Sequence, residues 1–169
     1  VVAAPVFAQD IQSGLKDLES ERLAKAEQTF TQLATSAPTA DNQFYLGYYY
    51  LRTNQLDKAK AAFEKGLAAD PANQLNNIGL AGVALSKKDG PGAKALIDAA
   101  VKATKSKNMD VLSRAGEMYT LNYDYNARGL TGLGVNDPAE ALRLLDLAAK
   151  LDKKNASADI KMIMGDAYF

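Results

Sequence analysis

A chain of 169 residues suits a single domain and can bury about 70% of its unfolded surface, enough for a core without covalent staples. Its 20 basic and 20 acidic residues cancel, which leaves no net field to draw it onto nucleic acid or anionic lipid. Cysteine and histidine are absent, which excludes disulfides, thiolate chemistry, the usual zinc ligands and the commonest general base.

The opening VVAAPVFAQD is apolar and small as far as Ala8. Val6 and Ala8 occupy the two small-residue positions before a cut at Gln9, so residues 1–8 are expected to be the remnant of a signal peptide. The alternative is an apolar lead packing on the first helix. No initiator Met or basic segment precedes the stretch, so the start is expected to be missing. No cysteine follows it, which excludes lipid attachment there, and no other segment reaches the ~20 apolar residues of a membrane span.

From Ile11 the spacing of Ile11, Gly14, Leu15 and Leu18 predicts a helix. After the polar Glu19-Ser20-Glu21 break, Leu23, Ala26, Phe30 and Leu33 predict a second. Ala26-x3-Phe30 and Pro38 lie 33 positions before Ala59-x3-Phe63 and Pro71, so residues 9–39 read as one unit of a repeat. The stripe of its first helix fits the next unit only with an intervening turn about one residue shorter. Residues 40–73 form the clearest unit: Leu46-Gly47-x2-Tyr50, Ala59-x3-Phe63 and Pro71. Gly47 and Ala59 should let two helices approach, with Leu46, Tyr50 and Phe63 filling between them. Asn54 reads as an N-cap with Asp57 as capping-box partner, and Asp70-Pro71 as a stop.

A third unit spans 74–107, with Leu80-Ala81, Ala84, Ala93, Ile97 and Ala100 in the corresponding slots and Asp89-Gly90-Pro91 capping its second helix. A fourth, 108–155, opens with Ala115-Gly116 and Tyr119. Tyr119 to Ala141 spans 22 positions where Tyr50 to Ala59 spans 9, so 13 residues are inserted within 121–136. Asp137-Pro138-Ala139-Glu140 restarts a helix that carries Ala141, Leu145 and Ala148. Residues 156–169 hold a lone helix in which Met164-Gly165-x2-Tyr168 repeats the glycine slot, and the native chain is expected to continue beyond it.

The period and these motifs resemble the tetratricopeptide repeat. That resemblance implies an all-α fold, an α-α superhelix of helix-turn-helix repeats with about four pairs and a trailing helix. It also implies a non-enzymatic protein-protein interaction scaffold with no cofactor. First helices of such repeats line a concave face, which here would take Asp41, Phe44, Tyr48 and Leu51, then Leu75, Ile78, Gly82 and Leu85, then Asp110, Ser113, Glu117 and Thr120. The expected groove is apolar and aromatic in the middle and acidic towards the fourth repeat, suited to an apolar peptide or amphipathic helix. Family members that clamp a terminal carboxylate use Lys and Asn where this chain has Phe44, Tyr48, Leu75 and Gly79, so that function is not expected. Within the insertion, Tyr125 and Arg128 are candidate partner contacts, while Tyr123 is expected to pack. The alternative is an assembly module of a larger cell-envelope protein, its groove covered by its own segments or by a second copy in a homodimer. The expected location is exported, in the periplasm or envelope of a bacterium.

Catalysis finds little support in the residues. Pairs such as Asp17 with Glu21, or Asp57 with Glu64, sit among Lys residues on polar faces, as solvated i,i+4 and neighbouring pairs do. The GLTGLG run at 129–134 lacks both phosphate-loop orders and a preceding strand, and reads as loop.

Overall fold

The computed structural model describes residues 4–121, 137–152 and 158–168, all of whose regular elements are helices. They are α1 (Ala4–Glu19), α2 (Leu23–Ser36), α3 (Ala40–Arg52), α4 (Leu56–Ala69), α5 (Gln74–Ser86), α6 (Gly90–Ala103), α7 (Met109–Leu121), α8 (Pro138–Leu151) and α9 (Ala158–Tyr168). α1 runs through the boundary expected between residues 8 and 9. The expected 121–136 insertion lies, apart from Leu121, outside the described residues. The chain divides into two compact units, Val1–Gly79 and Leu80–Phe169, with the boundary inside α5.

In the first unit α1 packs on α2, α2 on α3 and α3 on α4. A single steric device recurs. Phe30 lies so close to Gly14 that a methyl group there would sit 2.7 Å from the ring, and Phe63 stands against Gly47 at 2.5 Å on the same measure. Phe63 also closes on Gly79 of α5. Glycine on one helix lets an aromatic ring from the other reach the backbone, and close packing makes that fit strict.

This geometry corrects the expected short turn in the first unit. Phe30 follows Gly14 by 16 positions, as Phe63 follows Gly47, so the two hairpins share one register. What the first lacks is the tyrosine: its slot holds Asp17, a buried carboxylate. Arg22 donates to Asp17 Oδ1 from Nε at 2.7 Å and Lys25 Nζ lies 3.6 Å from Oδ2, which ties the α1–α2 turn together. The Arg22 bond, set against desolvation, holds the Asp17 carboxyl below the usual range.

Asn54 is corrected as well. It is not an N-cap: its φ is 57°, and α4 begins after Gln55 with no side-chain cap. Asparagine tolerates the left-handed region because its short amide can bond locally. Glu21 at 56° and Lys88 at 64° turn the neighbouring hairpins in the same slot.

Buried amides fasten the hairpins end to end. Asn42 Nδ2 donates to Ala37 O at 2.8 Å, and Gln43 Nε2 to Ala34 O at 3.2 Å, satisfying carbonyls at the end of α2. One repeat later, the fully buried Asn76 donates to Ala40 O at 3.0 Å.

In the second unit α6 packs on α7, α7 on α8, and α9 on both α8 and α7. Asp89 caps α6 by accepting from Gly92 N, and Asp137 caps α8 by accepting from Glu140 N, each at 2.9 Å with proline in the first turn. Both caps follow the expected sequence signals. Leu145 stands against Gly116, 2.6 Å from a methyl group built there. The separation of this pair is 29 positions rather than 16, which accommodates the 13-residue insertion and leaves the glycine contact unchanged.

Candidate protein-interaction surface

The aromatic residues of α3 make a continuous cluster. Phe44 has ring centroids 5.2 Å from Tyr45, 6.1 Å from Tyr48 and 5.8 Å from Phe63. Arg52 donates from Nη1 to Tyr48 Oη at 2.9 Å, with its guanidinium carbon 5.7 Å from the ring centre. That places the charge at the hydroxyl end of the ring, so the hydrogen bond describes the pair better than a cation–π contact does.

These contacts change the reading of the expected groove. Phe44 and Ile78 have no exposed surface, Tyr48 retains 3% and Leu51 8%. Leu75 is half-buried. Gly82, Leu85 and Glu117, described within the second unit, are buried. Of the aromatic and aliphatic side chains meant for a partner, all but Leu75 are core. Glu117 is not a free acidic group either, because Arg114 Nη1 donates to it at 2.6 Å. Tyr125 and Arg128 lie outside the described residues.

The signature tyrosines, which sequence reasoning assigned only to packing, border more accessible ground. Tyr50 is half-buried beside a trough on the outer side of α2, lined by Gln28, Thr31, Gln32, Thr35 and Ser36, with Ala24 and Glu27 at one end. Lys58 Nζ sits 5.2 Å from the centre of the Tyr50 ring. Thr35 and Ser36 turn their hydroxyls to their own helix, donating to Thr31 O and Gln32 O, and apart from Glu27 at one end the residues lining the trough are uncharged. Gln28, Thr31, Gln32 and Thr35 stand at i, i+3, i+4 and i+7, a periodic uncharged stripe legible in the sequence but passed over because it is not apolar. At the inner edge Tyr49 Oη lies 3.3 Å from Glu27 Oε2, and burial first, then that carboxylate, push the phenol pKa up.

In the second unit the same tyrosine slot is surrounded by charge. Burial first, and then the carboxylates of Glu140, Asp98 and Asp137, push the buried Tyr119 up to about 12. The charges around it pair among themselves: Lys94 with Asp98 at 3.0 Å, and Arg143 with Glu140 at 2.6 Å. Among the described residues, no three His, Cys, Asp or Glu side chains are grouped to hold a metal ion, and no helix is long and apolar enough to cross a membrane.

Residues 40–73, the α3–α4 hairpin, match the family model described as tetratricopeptide repeat. No curated protein matches the chain.

Proposed function

We infer, on the premise that α3 and α4 are a tetratricopeptide repeat and that such repeats are generally protein-protein interaction modules, that the chain is a non-enzymatic protein-interaction scaffold. The observation that carries the choice of surface is a contrast within the first unit. Phe44, Tyr48 and Ile78 are closed into the core, whereas the uncharged Gln28–Thr35 stripe beside Tyr50 stays accessible. A polypeptide laid along that trough would meet amide and hydroxyl groups and one amphipathic ring, a chemistry common at protein interfaces.

The experiment is site-specific photocrosslinking in the source cell, with the reactive residue at Gln28, Gln32 or Thr35 in one set and at Tyr48 or Leu51 in the other. Adducts to another polypeptide from the first set are expected. Adducts from the second set alone would restore the apolar-groove reading, and none from either would remove the scaffold.

The second reading is an assembly module of a larger cell-envelope protein, its groove covered by further segments of its own or by a second copy; the burial of Phe44, Tyr48 and Ile78 in the chain by itself leaves little of that groove for either to cover. An exported, envelope location is part of the proposal and rests on the signal-like residues 1–8. Reporter-enzyme fusions active only outside the cytoplasm test it.

A further inference from the structure

We propose that the trough along α2 binds a partner polypeptide in extended form, holding its main chain through the side-chain amides of Gln28 and Gln32. This rests on the scaffold reading and names what the trough recognises.

The outer face of α2 differs from its counterparts in the chain. Aligned on Ala26, Ala59 and Ala93, the slots of Glu27 and Thr31 hold Lys60 and Glu64 in α4, and Lys94 and Asp98 in α6. Both of those pairs close as i,i+4 ion pairs, at 3.6 and 3.0 Å. In α2 no such pair forms, because Thr31 stands in place of the acid and Glu27 turns to Tyr49 Oη. Where α2 has Gln28 the other two helices have Ala61 and Ala95, and where it has Gln32 they have Lys65 and Ala99. Gln28 and Gln32 are exposed, and among the described residues neither amide has a hydrogen-bond partner. α2 packs on α1 before it and on α3 after it, so this face is left open inside a packed unit and not by an end of the chain.

Spacing and chemistry select an extended main chain. Gln28 and Gln32 lie four residues apart, about 6.0 Å along the helix axis. Alternate residues of an extended chain lie about 6.6–6.8 Å apart, so the two amides meet peptide groups that face the same way. Each residue of such a segment carries an N–H and a C=O that need partners, and a glutamine amide supplies both an acceptor and donors. A docked helix has its main-chain groups tied up in its own ladder, and it needs an apolar stripe to bury. This wall offers apolar surface only at Ala24 and the Tyr50 ring. Charge points the same way. Apart from Glu27 the lining is neutral, so an ion lying between the two amides would lose water without a counter-charge, whereas peptide groups are neutral. Interfaces that stay closed are the more apolar ones. A polar wall therefore suits a partner that comes and goes, not a permanent cover by the same chain or a second copy.

The test puts a photoreactive diazirine side chain at Gln28 or at Gln32, one at a time so that the other amide remains, in the source cell. Fragment mass spectrometry then locates the attachment residue in the captured polypeptide. Both positions are expected to mark one stretch of a partner, with the attachment moving by two residues between them. That stretch is made as a peptide and titrated against the chain by fluorescence anisotropy. Binding should weaken about tenfold for Gln32→Leu, and by a similar factor when the peptide N–H facing it is methylated. The two changes together should cost no more than about one alone, since both remove the same contact. Circular dichroism verifies that the exposed substitution leaves the fold intact. A step of four residues, which makes a helix the occupant, overturns the proposal, as does binding indifferent to Gln32→Leu or to N-methylation. Attachment to this chain's own sequence overturns it by making a self-contact the occupant. Absence of adducts at both positions overturns it too, and the scaffold then stands or falls separately with the adducts at Tyr48 and Leu51.

Discussion

Leu145 closes over Gly116 across the 121–136 insertion just as Phe63 closes over Gly47 within an uninterrupted repeat. The contact, not the length of chain between its partners, defines the hairpin. Gly116→Ala should therefore cost about 1–3 kcal/mol through overpacking. Gly165→Ala, with open space around the added methyl, should be neutral or stabilise α9 by up to about 1 kcal/mol through helix propensity. Urea unfolding of the two variants side by side measures the difference.

Phe63 is fully buried between Gly47 and Gly79 and touches the Phe44 cluster. Phe63→Ala should destabilise the chain by about 3–5 kcal/mol. Circular dichroism melting monitors it, and a loss under about 1 kcal/mol would mean that the ring is not in the core.

The double change Tyr48→Glu, Ile78→Glu separates an accessible face from a core. With these residues at 3% and 0% exposure, two carboxylates would be forced into the core, only the one at position 48 having a cation, Arg52, beside it. A loss of about 4 kcal/mol or more is expected. Unchanged melting, together with lost partner capture, would instead reinstate the groove.

Asp17 supplies an acid-dependent contribution. Its folded pKa lies below the ordinary carboxylate value, chiefly through the Arg22 hydrogen bond. The contribution is therefore present above the unfolded pKa of about 4 and fades as pH falls through the folded one. Asp17→Asn should be less stable than the parent at pH 7, with the gap closing in acid. Denaturant midpoints across that range supply the check.

Tyr119 behaves in the opposite sense. Its folded pKa is raised to about 12 by burial and by Glu140, Asp98 and Asp137, so the stability it confers is intact below about 10 and lost between there and the folded value. Tyr119→Phe should remove that alkaline loss. Phenolate absorbance, followed in parallel with helicity, reports it.

Helix positions and the caps at Asp89 and Asp137 were legible in the sequence because each follows from local periodicity or from a residue with one dominant backbone role. The register of α1 was harder to read: Asp17 replaces the expected tyrosine, and only the Gly14–Phe30 contact reveals the alignment. Asn54 misled because asparagine suits both an N-cap and a left-handed turn. The site was least legible. Pattern places Phe44, Tyr48 and Ile78 on the first-helix face, but whether neighbours cover that face depends on tertiary packing. Conversely, the Gln28–Thr35 stripe carries neither charge nor apolar character, the two signals a sequence scan weighs.

The left-handed residues at the hairpin turns bring a further consequence. Glu21 and Lys88 hold a backbone conformation that Asn54 adopts at lower cost. The three reversals are thus unequal in stored strain, although they share one slot. Local opening should start at the Glu21 and Lys88 turns, where helix ends fray first and amide protons exchange soonest. Within the first unit, the α3–α4 hairpin, turned by Asn54, should then exchange more slowly than the α1–α2 hairpin, turned by Glu21.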